Sequence, residues 1–182
     1  MVRPSRDARD AWRSQVGFLF DPDDGSLPEI RLTGLTAEQT PRVYARLRAL
    51  AARLNDGASL VDRRAEHEVP VDAVPNAASL VVAGHVDGFH VVLRAPRVGA
   101  VVLPDLGVFV AADEIALDYR MGAQWGATEI AALLALLCEL HRIAPGSRVE
   151  LEEHAEAGAR ERFAAAVARR CAEGGAPPPG TL

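Results

Sequence analysis

The apolar residues of this 182-residue chain recur at every second position through the middle and at three-to-four-residue spacing on either side. Near the start, QVGFLF (15–20) and EIRLTGL (29–35) read as strands around DPDDGSLP, which predicts a hairpin with a long acidic connection. In TPRVYARLRALAARLNDG (40–57), Val43, Leu47, Leu50 and Leu54 share one side at helical spacing, with Tyr44 and Ala51 beside them. Two starts compete for this helix. Thr36 with Gln39 has the form of a capping box. Thr40 followed by Pro41 is preferred, because a proline in the second turn would forfeit a backbone hydrogen bond. Asn55-Asp56-Gly57 predicts the end.

Residues 58–121 read as strands: ASLVD and EVPVDAV, then ASLVVAGHV, GFHVVLRA, GAVVL, LGVFVA and EIALDYRM. The connections between them are short, which favours antiparallel neighbours and a meander. ATEIAALLALLCELHRI (127–143) is a helix with a broad apolar face, SRVEL a last strand, and HAEAGARERFAAAVARRCAEG a second helix anchored by Phe163 and Val167. Strands in the middle and helices around them predict an α+β fold, an antiparallel meander sheet with helices packed on one face. One domain is expected over residues 1–175, with 1–13 loosely ordered and 176–182 a disordered tail.

Charge narrows the partners. The net charge is −5, which argues against direct nucleic-acid binding, where a basic footprint is needed. All 20 basic residues are Arg, which removes Schiff-base lysines, the phosphate-loop lysine and Ser-Lys dyads. The polar N-terminal stretch lacks the apolar segment of a signal peptide, so none is expected, and no apolar run approaches the roughly 18 residues of a membrane span. A soluble, cytoplasmic protein is expected, with Cys138 and Cys171 as free thiols in a reducing compartment.

The chain carries no Gly-rich phosphate loop, GxSxG elbow, HExxH or CxxC, and no cofactor is expected. Its densest stretch is LDYRMGAQWGATEI (117–130). Strand alternation sets Ile115, Leu117, Tyr119 and Met121 on one face, and Ala116, Asp118 and Arg120 on the other. With Gly126 as the helix cap, Trp125 takes the place of a hydrophobic staple and Glu129 the third helical position. Asp118 and Arg120 are then left as an ion pair or as contacts for a partner, with Trp125 a further candidate contact. In AGHVDGFHV, a two-residue turn at Asp87-Gly88 would pair His85 with His90 across a hairpin, two ligands toward a metal that wants more. Asp21, Asp23 and Asp24 miss the spacing of a calcium loop, whose glycine at position six would put Phe20 at position one. They read as an Asp-rich turn or an acidic contact surface.

Leu103-Pro104-Asp105-Leu106-Gly107, then Leu117 to Gly122, Trp125 and the leucine-rich helix resemble bacterial immunity proteins that accompany polymorphic toxins and type VI secretion effectors. The resemblance covers residues 103–140. It implies a non-enzymatic protein that binds and neutralises one toxin, in the cytoplasm when that toxin is a nuclease. The expected partner is a basic secreted protein, met through Asp21, Asp23, Asp24, Asp118, Arg120 and Trp125. Two other readings stay open: a small metal-binding or hydrolytic domain using His85 and His90, and an oligomeric structural or regulatory module working through a sheet edge or the leucine-rich helix.

Overall fold

The computed structural model describes residues 16–20, 25–63, 67–152 and 157–173. A six-stranded sheet, antiparallel throughout, runs in the order β10-β1-β9-β8-β5-β2. Its strands are β1 (Glu29–Thr33), β2 (Arg53–Leu54), β5 (Phe89–Arg94), β8 (Leu106–Val110), β9 (Glu114–Tyr119) and β10 (Arg148–Leu151). Two small hairpins stand apart: β3 (Ser59–Val61) with β4 (Glu68–Pro70), and β6 (Arg97–Val98) with β7 (Val101–Val102). The helices are α1 (Gln39–Arg48), α2 (Ala77–Val82), α3 (Ala127–Ile143) and α4 (Ala157–Ala172). This is the α+β architecture the hydrophobic pattern predicts.

The meander is the run β5-β8-β9. The first strand, β1, then lies between β9 and the last strand, β10. Alternation sorts the two sides of the sheet. Ile30, Leu32, Val91, Leu93, Leu106, Val108, Ile115, Leu117 and Tyr119 are buried on one side, where they meet α3 and α1 in one hydrophobic cluster. Within α3 the buried positions go well round the helix, from Ile130 and Leu133 to Leu136, Leu137 and Leu140, because α1, α4 and the sheet all pack against it.

Four expectations change. Residues 15–20 form no strand in their described part: Gly17–Leu19 is a 3-10 turn that buries Leu19 and Phe20. Residues 77–82 are helical rather than extended. Ala77, Ala78 and Val81 are the buried positions, one helical face, and β-branched Val81 and Val82 follow tertiary packing over their own preference. Helix α1 begins at Gln39, with Thr36 N–H donating to Gln39 Oε1 at 2.9 Å and Gln39 N–H to Thr36 Oγ1 at 3.3 Å. The Thr36–Gln39 capping box therefore prevails. Pro41 falls in the first turn, where a backbone N–H has no helical partner to lose. The same helix stops at Arg48, well before Asn55, because Arg53–Leu54 pairs with β5. Asn55 secures that pairing, donating its N–H to Val92 O at 3.0 Å and accepting the Val92 N–H on Oδ1 at 2.7 Å.

The cysteines are not free. Cys138 on α3 and Cys171 on α4 form a disulfide with a Cα separation of 5.3 Å. Thirty-three residues apart in sequence, they meet because α4 folds back along α3, a relation that sequence spacing does not reveal. Among the described residues, no helix is long and apolar enough to cross a membrane.

Candidate interaction surface

The stretch from Leu117 to Ile130 is the joint between β9 and α3. Tyr119 and Trp125 meet Phe20 in an aromatic cluster, with ring centroids 5.0 Å apart for both Phe20 pairs and 5.2 Å for Tyr119 with Trp125. Tyr119 Oη donates to Leu19 O at 3.2 Å, and Trp125 Nε1 donates to Arg120 O at 2.8 Å. Burial, with the nearby charge of Glu152, pushes the Tyr119 phenol well above its ordinary pKa, so it stays a neutral donor. Gly126 N–H donates to Glu129 Oε2 at 3.0 Å, capping α3 as its sequence predicts. Trp125 is 6% exposed. It locks the joint and presents no surface to a partner, which corrects its candidacy as a contact.

The opposite face of the sheet is different. Glu29 and Arg31 of β1, Glu114, Ala116 and Asp118 of β9, Gly107 and Phe109 of β8, and His90 of β5 alternate away from the core. No described helix covers them: Phe109 is 38% exposed and the His90 side chain 45%. Asp118 does not pair with Arg120. Its carboxylate crosses β8 and accepts from His90 Nε2 at 2.6 Å. Gly107 makes this possible, since it lies directly between the two strands, and a Cβ there would overlap the Asp118 carboxyl. Beside this link, Arg31 Nε donates to Glu114 Oε1 at 2.6 Å and its Nη2 meets the second carboxyl oxygen, a bidentate pair bridging β1 and β9.

Glu29 stands directly opposite Asp118 in the β1–β9 register. The Asp118 carboxyl leans the other way, over Gly107 toward His90. Among the described residues Glu29 has no ion pair, and Asp118 has only His90. The centre of the open face is therefore acidic, framed by the fixed Arg31–Glu114 pair and by exposed Phe109. At the far corner, Asp105 joins the end of β5 to the start of β8, accepting from Ala95 N–H at 2.9 Å and Arg94 Nη1 at 2.6 Å. Burial works against its charge, but these two donors outweigh it and hold the Asp105 carboxyl below its ordinary pKa.

Of the residues singled out from sequence, the structure brings Asp118 and His90 together. His85 is not their neighbour in the sheet. It lies after α2, its N–H bonded to Leu80 O at 2.9 Å, so the His85–His90 hairpin pair does not form; His90 stands opposite Phe109 instead. Among the described residues no three His, Cys, Asp or Glu side chains gather as a metal set. Arg120 is exposed at the end of β9, and Asp21, Asp23 and Asp24 lie outside the described residues. Sequence reading missed Glu29, Gly107 and Phe109. Their signal is the register between strands distant in sequence, which no local pattern carries. No protein-family model, no curated protein and no solved structure matches this chain.

Proposed function

We propose that this protein is a non-enzymatic binding protein that holds a basic protein partner against the open face of its sheet, as the immunity proteins it resembles hold their toxins. The observation that carries the reading is the acidic centre of that uncovered face, where Glu29 and Asp118 hold opposite register positions. Acidic side chains gathered on one uncovered face complement the charge of a basic partner. Exposed Phe109 beside them supplies the apolar anchor that interfaces favour. A His–Asp link is also the base half of a hydrolytic triad. Among the described residues, however, no hydroxyl or thiol is hydrogen-bonded to the His90 ring, so binding is the better reading.

The Cys138–Cys171 bond bears on where the partner is met. Disulfides persist in oxidising compartments, so it favours a toxin encountered outside the reducing cytosol over the cytoplasmic placement a nuclease would require.

Co-purification from the source strain, read by mass spectrometry, tests the proposal. The expected result is one stoichiometric basic protein retained by the wild type and lost from Asp118→Ala and Glu29→Ala. Retention by both variants would overturn the assignment of the surface, and a wild type that retains nothing would overturn the function.

A further inference from the structure

The sheet has two edges. One is β2, two residues long. The other, β10, is four residues long and follows the sequence Arg148-Val149-Glu150-Leu151. The phase of its hydrogen bonding is fixed by Glu152, whose N–H donates to Glu29 O at 3.0 Å. In an antiparallel ladder, hydrogen-bonded pairs alternate with non-hydrogen-bonded ones. The pairs Arg31–Glu150 and Thr33–Arg148 share the phase of Glu29–Glu152, and Leu32–Val149 and Ile30–Leu151 take the other. The N–H and C=O groups of Val149 and Leu151 therefore point away from β1, out of the sheet. Among the described residues no strand pairs with them. A concavity of about 360 Å³ lies at this edge, lined by Arg31, Val149, Glu150, Leu151, Arg160 and Ala164, so the edge is reachable alongside α4.

We infer that β10 joins β10 of a second copy of this chain, edge to edge and antiparallel, centred on Val149. A two-fold axis normal to the sheet keeps every side chain on its own face only when one residue pairs with itself. Centring on Glu150 would set Glu150 of one copy against Glu150 of the other, two like charges at a non-hydrogen-bonded position, where facing side chains stand closest. Centring on Val149 uses outward N–H and C=O groups on both copies, which form two reciprocal hydrogen bonds. It also sets Arg148 of each copy opposite Glu150 of the other on the open face. Within one copy, Arg148 Nε donates to Glu150 Oε1 at 3.0 Å, and both side chains are exposed. Exchanging that contact for its equivalent between copies loses no ion pair. Ala164, small and exposed on α4 beside the edge, lets the two helices approach on the other side. The product is one continuous sheet carrying two copies of the acidic face.

A four-residue edge makes a small interface, so the dimer is expected at concentrations on the order of 100 µM. Light scattering across a dilution series should rise toward twice the 19.4 kDa chain mass. Arg148→Glu and Glu150→Arg each oppose like charges and should stay monomeric. An equimolar mixture of these two variants should dimerise again, because the all-acidic edge of one meets the all-basic edge of the other. Val149→Pro removes the outward N–H while leaving the β1 ladder intact, so it should abolish the dimer, whereas Val149→Ala, which trims the same core contact but keeps the N–H, should retain it. A wild type that stays monomeric at that concentration, or a dimer indifferent to both charge reversals, would overturn the inference.

Discussion

On one side of β9, Ile115, Leu117 and Tyr119 press into α3 and the Phe20–Trp125 cluster, and each is at most 2% exposed. On the other side of the same strand, Glu114 and Asp118 reach across neighbouring strands to Arg31 and His90. The core side is held by volume, which tolerates many partners of the right size. The open side is held by specific pairs, each of which needs one register. Removing a core group therefore destabilises the whole fold, while removing an open-face group changes what the surface offers.

Trp125→Ala should sharpen that contrast most, costing about 3–5 kcal/mol by cavity formation and loss of the joint. Urea unfolding followed by circular dichroism measures it; a loss smaller than about 1 kcal/mol would mean the cluster is not structural. Reduction of the Cys138–Cys171 bond comes next. The 33-residue separation sets a loop-closure contribution of about 4 kcal/mol, read as the fall in unfolding free energy when reductant is added. An unchanged midpoint would show that the bond does not constrain the unfolded chain.

Gly107→Ala should act on the other face alone. The added methyl displaces the flexible Asp118 side chain, at a cost of about 1 kcal/mol, and breaks its link to His90. The imidazole resonances of His90 should shift while the core amides stay in place; the reverse pattern would break the comparison. The smallest effect is the acid dependence at Asp105. Its folded pKa lies below the ordinary 3.8, so its contribution is complete above that value and is lost as pH falls through the lower folded one. Asp105→Asn should remove this slope from a stability–pH curve, and a curve identical to the wild type would deny the Ala95 and Arg94 contacts their role.

The sequence made the core side legible because period is local information. The alternation of Ile115, Leu117, Tyr119 and Met121, and the length and cap of α3, are written within a few residues of each other. The rest depends on partners far apart in the chain. Asp118 seemed to belong with Arg120, two residues away, but it meets His90 through a gap left by Gly107. Residues 77–82 looked extended because of their valines, and are helical because their buried positions fit one helical face beside α1. The β2 strand cuts short a helix whose own periodicity continues, since pairing with β5 buries Leu54 and engages Asn55. Cys138 and Cys171 meet only once α4 has folded against α3.

The most direct test of a working open face is a pair of affinities for the captured partner, measured by calorimetry. One is for Asp118→Ala, in the centre of the open face; the other is for Arg42→Ala, exposed on α1 on the helical side of the molecule. The account predicts that Asp118→Ala weakens binding at least about tenfold while Arg42→Ala leaves it within about twofold. Equal affinities for Asp118→Ala and wild type, with Arg42→Ala weakened, would move the binding surface to the helices and contradict it.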